Sequence, residues 1–430
     1  MSFFTTINEA IEWIEHSHRF GEKLDLSRMT MACERLGHPE KAFKSIHVAG
    51  TNGKGSTTNF IKNILYDAGY KVGIYTSPYV VVFNERIGIN RDFIANESIV
   101  RYANQLKSLW DNVYEETGDS ITFFEIITLM AFLYFRDQAV DIAVIEVGLG
   151  GLLDATNVIV PEVALITNIS YDHMKQLGNT LESIALNKLG IVKPNVPLIT
   201  TETNPDLMPL FREICEKNNA PFYQINASDI TEIKVDKTTQ FMYQTTRYEL
   251  QLTGLHQIKN ATLAIMAIEL LVKRNQIQIH ERNIYQGLKM TTWPGRFEIF
   301  NDKIVLDGAH NVGGIESLET SLKLIFPNRT IKCLFCMMHD KEHNKIIHEL
   351  DAFVDEFHFT QIDYYRGAKA IELFEESHHQ YKYIHEDAHQ AFFELVSSLQ
   401  KNEILVVTGS LYFISEIRPL ALSLKNPAQS

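Results

Sequence analysis

Short apolar runs alternate with helical hydrophobic patterns along most of the chain. In the first 200 residues, continuous apolar runs predict buried strands at 46–49, 72–75, 141–147 and 163–167. Apolar residues at helical spacing predict helices at 60–68, 123–135 and 181–188. Strands that are apolar on both faces, separated by helices, are typical of a mostly parallel sheet covered by helices. The first part of the chain is therefore predicted to be an α/β domain.

The pattern changes twice further along. Residues 229–252 alternate polar and apolar positions with β-branched side chains, which predicts a small antiparallel sheet. After residue 296 a new alternation begins, with strands predicted at 304–306, 331–337, 357–360 and 404–408. We therefore predict two domains, residues 1–296 and residues 297–430, the second being a Rossmann-like α/β domain.

A glycine-rich loop at residues 50–56, with the sequence GTNGKGS, lies between a predicted strand and a predicted helix. Glycines let backbone N–H groups approach phosphates, the helix N-terminus adds partial positive charge, and Lys54 can neutralise phosphate oxygens. The loop is one residue shorter than the usual phosphate loop and carries Gly55 between the lysine and Ser56. A glycine turn without a ligand is the alternative; the loop predicts nucleotide binding through Thr51, Asn52, Gly53, Lys54, Gly55 and Ser56.

Polar side chains follow several predicted strands at their carboxyl ends, where open α/β sheets bind ligands. Ser77 follows the strand at 72–75 and is otherwise a common turn residue before a proline. Glu146 ends a buried strand beside a glycine run, a position typical of a Mg²⁺ carboxylate. His173 follows the next strand, where we interpret it as a metal ligand, and Asp307 and His310 occupy a strand end in the second domain.

Composition narrows the classes of function. The net charge of −13 argues against a general nucleic-acid binder. The longest apolar run, at 126–135, is well short of the roughly 20 residues that span a bilayer, so no membrane association is expected. Cys333 and Cys336 lie in an apolar run without a second pair, and we expect them to be reduced core residues. A cytoplasmic location is expected.

Several short motifs together resemble folylpolyglutamate synthase, some members of which are also dihydrofolate synthases, within the Mur ligase superfamily. They occur in the family's order across nearly the whole chain: GTNGKGS at 50–56, TSP at 76–78, FNERI at 83–87, EVGLGG at 146–151, DATN at 154–157, DH at 172–173 with LGNT at 177–180, GLHQ at 254–257 with Asn260, PGR at 294–296 and DGAHN at 307–311. The resemblance implies a Mur-ligase-type ATPase domain followed by a glutamate-ligase domain. It also implies a monomer.

The resemblance implies an ATP-dependent ligase that forms an amide between a folate carboxylate and the amine of L-glutamate. Dihydropteroate is a second candidate acceptor. By position, Ser77 and Glu146 resemble ligands of one Mg²⁺, and His173 resembles a ligand of that site or of a second Mg²⁺ site. Lys188 matches the family lysine that is carbamylated, although on the sequence pattern alone it is a solvated lysine. Asn260, Arg296, Asp307 and His310 resemble residues that bind the nucleotide, and the family's divided site implies domain closure.

Three residues depart from the family pattern. Tyr79 stands where a histidine commonly follows TSP, Leu152 where an arginine often follows the glycine run, and Asn187 where a glutamate precedes the lysine. None of them removes a metal ligand that the resemblance implies, so catalysis by Lys54, Lys188 and His173 is still expected. The alternatives are another Mur-type amide ligase, a phosphotransferase with the same phosphate loop, and a nucleotide-sensing module.

Overall fold

A computed structural model describes residues 3–17, 25–79, 81–339, 341–364 and 366–424. Backbone proximity divides the chain into two compact units. The first unit comprises Met1–Ile169, Leu177–Asn226 and Asn260–Leu288, and the second comprises Ser170–Gln176, Ala227–Lys259 and Lys289–Ser430. The division at residues 296 and 297 stays a prediction.

An eight-stranded sheet, ordered β4-β3-β2-β5-β1-β6-β7-β8, forms the centre of the first unit. Its strands are β1 (Lys44–Ala49), β2 (Val72–Tyr75), β3 (Ile87–Ile89), β4 (Asp92–Phe93), β5 (Ile142–Glu146), β6 (Val163–Ile166), β7 (Leu198–Thr200) and β8 (Phe222–Gln224). Strands β2, β5, β1, β6, β7 and β8 pair in parallel in that order, and β3 and β4 add an antiparallel edge. The carboxyl ends of β2, β5, β1 and β6 therefore meet along one edge of the sheet.

Helices cover this sheet on both faces. Those up to residue 217 are α1 (Ile7–His16), α2 (Ser27–Arg35), α3 (Lys54–Asp67), α4 (Asn96–Thr117), α5 (Phe123–Asp137), α6 (Met174–Leu177), α7 (Leu181–Leu189) and α8 (Met208–Lys217). Thr122 begins α5 with a capping box, in which its hydroxyl accepts the N–H of Glu125. The buried faces of α4 and α5 pack against residues of β2 and β5 in one hydrophobic cluster, which supports the strands that carry the site.

Residues 229–252 form the predicted antiparallel sheet. Its strands are β9 (Ile230–Val235), β10 (Thr239–Tyr243) and β11 (Thr246–Leu250), with β10 in the middle. Two helices follow, α9 (Leu255–Lys273) and α10 (Glu281–Met290). Gly287 of α10 packs so closely on α3 that an added Cβ would lie 2.4 Å from the Cα of Ile64, which holds the carboxyl half of α3 in place.

The third sheet is six-stranded, ordered β12-β13-β17-β14-β15-β16. Its strands are β12 (Glu298–Phe300), β13 (Ile304–Leu306), β14 (Thr330–Phe335), β15 (Glu356–Phe359), β16 (Lys382–Ile384) and β17 (Glu403–Thr408), and all but β12 are parallel. The helices are α11 (Val312–Ile325), α12 (His343–Asp351), α13 (Ala370–Glu376), α14 (Ala388–Ser398) and α15 (Leu411–Ser423). Hydrophobic clusters lie on both faces of this sheet.

The predicted α/β class, with a mostly parallel sheet, a small antiparallel sheet and a carboxyl-terminal α/β domain, is confirmed. The observed ends of the strands and helices differ from the predicted ends by a few residues. The strand predicted at 331–337 ends at Phe335, although Cys336 and Met337 are fully buried. Burial continues past the end of the hydrogen-bonded ladder there, so the apolar run is longer than the strand. Cys333 and Cys336 are buried free cysteines, as expected.

Candidate active site

The glycine loop joins the carboxyl end of β1 to the first turn of α3, and the residues after β6 hold it. The N–H of Thr51 donates to the carbonyl oxygen of Asn168 at 2.9 Å, and the N–H of Asn52 donates to Asn168 Oδ1 at 2.9 Å. The hydroxyl of Thr167 donates to the carbonyl oxygen of Asn52 at 2.6 Å. Contacts inside the protein therefore fix the shape of the loop without a ligand.

Two glycines of the loop have no room for a side chain. Gly50 has φ +141°, and an added Cβ would lie 1.8 Å from the Thr167 hydroxyl oxygen. Gly53 has φ +85°, and its added Cβ would lie 2.2 Å from Asn260 Oδ1. Positive φ and close approach both require glycine here. The second contact places the predicted nucleotide-binding residue Asn260 directly against the loop.

Two lysines converge on the carbonyl oxygen of Gly50. Lys54, the first residue of α3, donates from Nζ to the Gly50 and Thr51 carbonyl oxygens, both at 3.1 Å. Lys188, on α7, is buried and donates from Nζ to the same Gly50 oxygen at 2.9 Å. Lys54 and the N-terminus of α3 place positive charge beside the loop, which favours an anionic ligand.

The carboxylate of Glu146 lies at the end of β5 and is almost wholly buried. The N–H of Ser77 donates to Glu146 Oε2 at 3.3 Å, so the loop after β2 lies against this carboxylate. The two residues predicted as Mg²⁺ ligands are therefore neighbours. Ser77 and Glu146 lie close together because β2 and β5 are adjacent parallel strands, so their carboxyl ends are at the same edge of the sheet.

A second buried carboxylate, Asp154, organises the segment after the glycine run. It accepts the N–H of Leu149 at 2.8 Å and the N–H of Thr156 at 3.0 Å, and it also accepts the hydroxyl proton of Thr156. On the far side, His47 Nε2 lies 2.8 Å from the Thr156 hydroxyl oxygen. Burial raises the pKa of the Asp154 carboxyl, and the hydrogen bonds that it accepts oppose this rise.

In the second unit, Asp172 is the centre of a charged cluster. Its carboxylate accepts from Lys341 Nζ at 2.7 Å and from Asn311 Nδ2 at 3.1 Å, and it lies 3.9 Å from His310 Nε2. It also accepts the N–H of His173, whose φ is +51°. Burial would raise the pKa of Asp172, but the neighbouring charges, that of Lys341 first, together hold it well below its usual range.

The DGAHN segment after β13 forms a second buried arrangement in this unit. Asp307 accepts the N–H groups of Phe297 and Ala309 at 2.8 and 2.9 Å. Burial raises the pKa of Asp307, while the charge of Arg296 lowers it. Burial and the charge of Lys341 lower the pKa of His310 to about 3, so its imidazole is neutral at neutral pH. Its Nδ1 lies 2.8 Å from the carbonyl oxygen of Gly308.

Comparison with known proteins assigns the family. Residues 48–268 match the Mur ligase middle domain, and residues 295–411 match the Mur ligase glutamate ligase domain. The chain is 40% identical to a dihydrofolate synthase/folylpolyglutamate synthase of Bacillus subtilis (strain 168), over 96% of this chain and 99% of that protein.

The chain belongs to the folylpolyglutamate synthase family.

Solved structures agree with this assignment. A folylpolyglutamate synthase from Thermotoga maritima superposes with a TM-score of 0.83 at 33% identity, covering 97% of each chain. A folylpolyglutamate synthase complex with AMPPCP and folate superposes with a TM-score of 0.82 at 30% identity, covering 97% of this chain and 100% of that one. The resemblance read from these motifs is therefore confirmed across nearly the whole chain, as is its implication that the chain is an amide-forming ligase.

The roles predicted for single residues in this family member stay predictions. Thr51 to Ser56, Ser77, Glu146, Lys188 and Asn260 lie in the first unit, and His173, Arg296, Asp307 and His310 lie in the second. Within the first unit, Lys188 and Asn260 lie against the glycine loop, and Ser77 lies against Glu146. A carboxylate beside a serine fits Mg²⁺, which prefers oxygen ligands and keeps several waters. Within the described ranges, His, Cys, Asp and Glu form no group of three or more that would by itself hold a metal ion.

Sequence reasoning missed several contact residues in these sites. Lys341 was not singled out, because a lysine after a strand is usually solvated. Thr167 and Asn168 carried a weak signal, since they follow a buried strand in the same sheet as the glycine loop. His47 carried none, because a histidine inside an apolar strand is most often a core residue. Its position beside Thr156 depends on a pairing that only the fold provides.

One described helix, α9, is long and apolar enough to cross a membrane, judged by length and composition only. Of its apolar window, 67% is buried inside the protein, and the core helix of a soluble protein passes the same test.

Proposed function

We propose that this protein is an ATP-dependent ligase that joins L-glutamate to the carboxylate of a reduced folate, with dihydropteroate as a second acceptor. The observation that carries the proposal is the phosphate loop, where Lys54 and Lys188 converge on Gly50. Beside this loop, the neighbouring β5 ends in the buried carboxylate Glu146. The named relatives and the complex with AMPPCP and folate support the identity of the substrates.

The proposed reaction has two steps. A carboxylate oxygen of the folate attacks the γ-phosphorus of ATP, which releases ADP and forms an acyl phosphate. The amine of glutamate then attacks the acyl carbon, and the tetrahedral intermediate expels inorganic phosphate and loses a proton. The loop N–H groups and Lys54 would stabilise the charge that spreads over the γ-phosphoryl oxygens. Mg²⁺, held by Glu146 and Ser77, would supply further stabilisation of the same charge.

The remaining assignments extend this proposal. His173 would complete the Mg²⁺ site or contribute to a second one, and Asn260, Arg296, Asp307 and His310 would bind the nucleotide. Lys188 would act after carbamylation, which converts its ammonium into an anionic group. We further propose that the enzyme is a cytoplasmic monomer that binds neither nucleic acid nor membrane.

The test is substrate dependence of ADP formation. Purified protein is incubated with ATP, Mg²⁺ and glutamate, with and without tetrahydrofolate, and the products are identified by mass spectrometry. We expect ADP and a glutamyl-folate only when both co-substrates are present. ATP hydrolysis at the same rate without either co-substrate would overturn the proposal, and a stable phosphorylated product without an amide would favour a phosphotransferase.

The acceptor range needs a parallel assay. Dihydropteroate and tetrahydrofolate are offered separately, each with glutamate and ATP. Formation of dihydrofolate from dihydropteroate would assign both synthase activities to this chain. Formation of a product only from tetrahydrofolate would restrict the enzyme to the addition of glutamate to folates. A glutamyl product with neither acceptor would direct the search to another Mur-type amide ligase.

A further inference from the structure

A buried chain of three polar side chains runs from the centre of the first sheet to the segment after β5. It begins at His47 on β1, passes through the Thr156 hydroxyl and ends at the Asp154 carboxylate. His47 and Thr156 are fully buried, and Asp154 is nearly so. None of the three belongs to the predicted nucleotide or metal residues.

The hydrogen bonds of this chain have a definite direction. Both Asp154 oxygens already accept backbone N–H groups, Oδ2 from Leu149 and Oδ1 from Thr156, so Oδ1, which also faces the Thr156 hydroxyl, is an acceptor. The Thr156 hydroxyl therefore donates its proton to Asp154. The Thr156 oxygen can then only accept from His47, so the proton of the imidazole must be on Nε2.

The other ring nitrogen supports the same tautomer. His47 Nδ1 is buried and has no hydrogen-bond partner among the described residues. A buried N–H without a partner is rarer than an unpaired acceptor, so the proton belongs on Nε2 and Nδ1 is an unpaired lone pair. Burial lowers the pKa of His47 to about 3, which keeps the imidazole neutral at neutral pH.

The far end of the chain holds two segments that carry predicted site residues. Asp154 accepts the N–H of Leu149 and thereby holds the turn that follows Glu146. The next residues reach the helix that bears Lys188, because Asn157 Nδ2 donates to the carbonyl oxygens of Leu152 and Gly190, both at 3.0 Å. The N–H of Leu152 in turn donates to the carbonyl oxygen of Asn187 at 2.8 Å. The segment 154–157 thus joins the Glu146 turn to the end of α7.

We infer that His47 is a positioning residue for the ligase reaction: through Thr156 and Asp154 it holds the turn after Glu146 in register with the helix of Lys188. This inference rests on the proposed function. The backbone groups of the phosphate loop bond to Thr167 and Asn168 and not to His47, Thr156 or Asp154, although Lys188 also donates to Gly50. Loss of the hydrogen bonds between His47, Thr156 and Asp154 should therefore slow the chemical step and leave ATP binding nearly unchanged.

The experiment compares His47→Met with His47→Gln. Methionine has a similar reach but no donor, whereas the glutamine amide can place an N–H near the position of Nε2. We expect His47→Met to lower kcat about tenfold, the rate equivalent of one hydrogen bond of about 1.4 kcal/mol, with KM for ATP within about twofold of the wild type. His47→Gln should recover most of that kcat.

Thr156→Val and Thr156→Ser test the middle of the chain without touching the histidine. Valine should reproduce the loss in His47→Met, serine should not, and the double variant His47→Met/Thr156→Val should be no worse than either single variant. Additive losses, equal activity of His47→Met and His47→Gln, or a rise in KM for ATP that matches the fall in kcat would each overturn the inference. The Thr156 pair decides the question if His47→Met does not fold.

A ¹⁵N spectrum of the imidazoles gives a readout independent of activity. In the spectrum of folded wild type, the nitrogens of His47, assigned by their loss in His47→Gln, should show a protonated Nε2 and an unprotonated Nδ1 at pH 7. The opposite tautomer would overturn the inference. If the wild type forms no glutamyl product, the proposed function fails, and the spectrum still decides whether the hydrogen-bonded chain exists as described.

Discussion

Gly53 and Gly69 lie at the two ends of α3 and share the left-handed backbone, which makes them a matched pair of residues. Gly53 has φ +85° and would place a Cβ 2.2 Å from Asn260 Oδ1; Gly69 has φ +91° and has nothing within 4 Å of an added Cβ. We predict that Gly53→Ala lowers kcat/KM for ATP about a hundredfold by displacing Asn260 and the loop.

Gly69→Ala is the control for backbone strain. It should cost about 1–2 kcal/mol of stability, the price of a left-handed residue with a side chain, with KM for ATP unchanged. Steady-state kinetics and thermal melting of both variants separate the two effects. Equal kinetic losses in the two variants would contradict a specific role for the contact between Gly53 and Asn260.

Lys54 is the residue on which the phosphate-loop interpretation depends most directly. We predict that Lys54→Met lowers kcat by about 10²–10³, because a positive charge near the transferring phosphoryl group is lost. Lys62→Met, two turns along the same helix, is the control. Burial lowers the pKa of Lys62 to about 8, and it has no hydrogen bond or ion pair in the described part of the chain. Activity retained in Lys54→Met would rule out its assigned role.

The sequence indicates candidate site residues where polar chemistry and a strand end coincide, and the roles of these residues stay predictions. Ser77 and Glu146 were identified because a polar residue at the end of a buried strand faces the ligand edge of a parallel sheet, and the structure makes them neighbours. Lys341 and His47 were not identified. Their partners, Asp172 and Thr156, are 169 and 109 residues away in sequence, so no local pattern could have paired them.

At the scale of elements, α2 offers a test of what attaches the amino-terminal helices to the core. Arg28 on α2 pairs with Glu125 in the first turn of α5 at 3.0 Å, and the two side chains are only 5% and 7% exposed. We predict that Arg28→Met costs about 3–5 kcal/mol of unfolding free energy, because it leaves the Glu125 carboxylate buried without its countercharge.

The same helix carries an exposed ion pair for comparison. Arg35 pairs with Glu116, and these side chains are 33% and 56% exposed. Arg35→Met should cost less than about 1 kcal/mol, since solvent screens an exposed pair. Urea unfolding followed by circular dichroism measures both variants. If Arg28→Met lowers the free energy of unfolding no more than Arg35→Met does, the buried ion pair contributes little to stability.

Elements were predictable because their periodicities are local. The continuous apolar runs of β1, β5 and β6 predict the eight-stranded sheet, and the alternation in β9 to β11 predicts the small antiparallel sheet. Strand order was not predictable, since β1 lies between β5 and β6 only through crossovers by helices. The strand order is what brings the ends of β2 and β5 together beside the glycine loop, so the sequence predicts candidate residues but not their arrangement.

At the scale of the whole molecule, sequence order and spatial grouping differ. Segments 170–176 and 227–259 belong to the second unit although they lie within the first 296 residues. For the first of these, the reason is Asp172, which bonds to Asn311 and Lys341 far along the chain. A boundary drawn from composition and turn residues cannot detect such a bond, because its partners carry no local signal of each other.

The two units should differ in their response to acid. Among the described residues of the first unit, burial lowers the pKa of His47 to about 3. In the described part of the second unit, burial lowers the pKa values of four histidines: to about 4 for His256 and His358, to about 3 for His310, and below its usual value for His385. A histidine with a depressed folded pKa is neutral when folded but takes up a proton when unfolded below about pH 6.5, so stability falls as pH falls through that range. Each unit also has two carboxyls with raised pKa values, Asp154 and Glu269 in the first, Asp307 and Glu416 in the second, which act in the opposite direction.

The excess of neutral histidines therefore predicts that the second unit loses more stability between pH 7.5 and 5.5. Each fully buried neutral histidine lowers the free energy of unfolding by about 1.4 kcal/mol for every pH unit below 6.5. Trp293 lies in the second unit, and Trp13 and Trp110 lie in the first. Thermal melting by fluorescence of Trp13→Phe/Trp110→Phe reports the second unit, and that of Trp293→Phe reports the first. We expect the Trp293 midpoint to fall further on acidification, and equal shifts of the two midpoints would show that the histidines do not control the acid response.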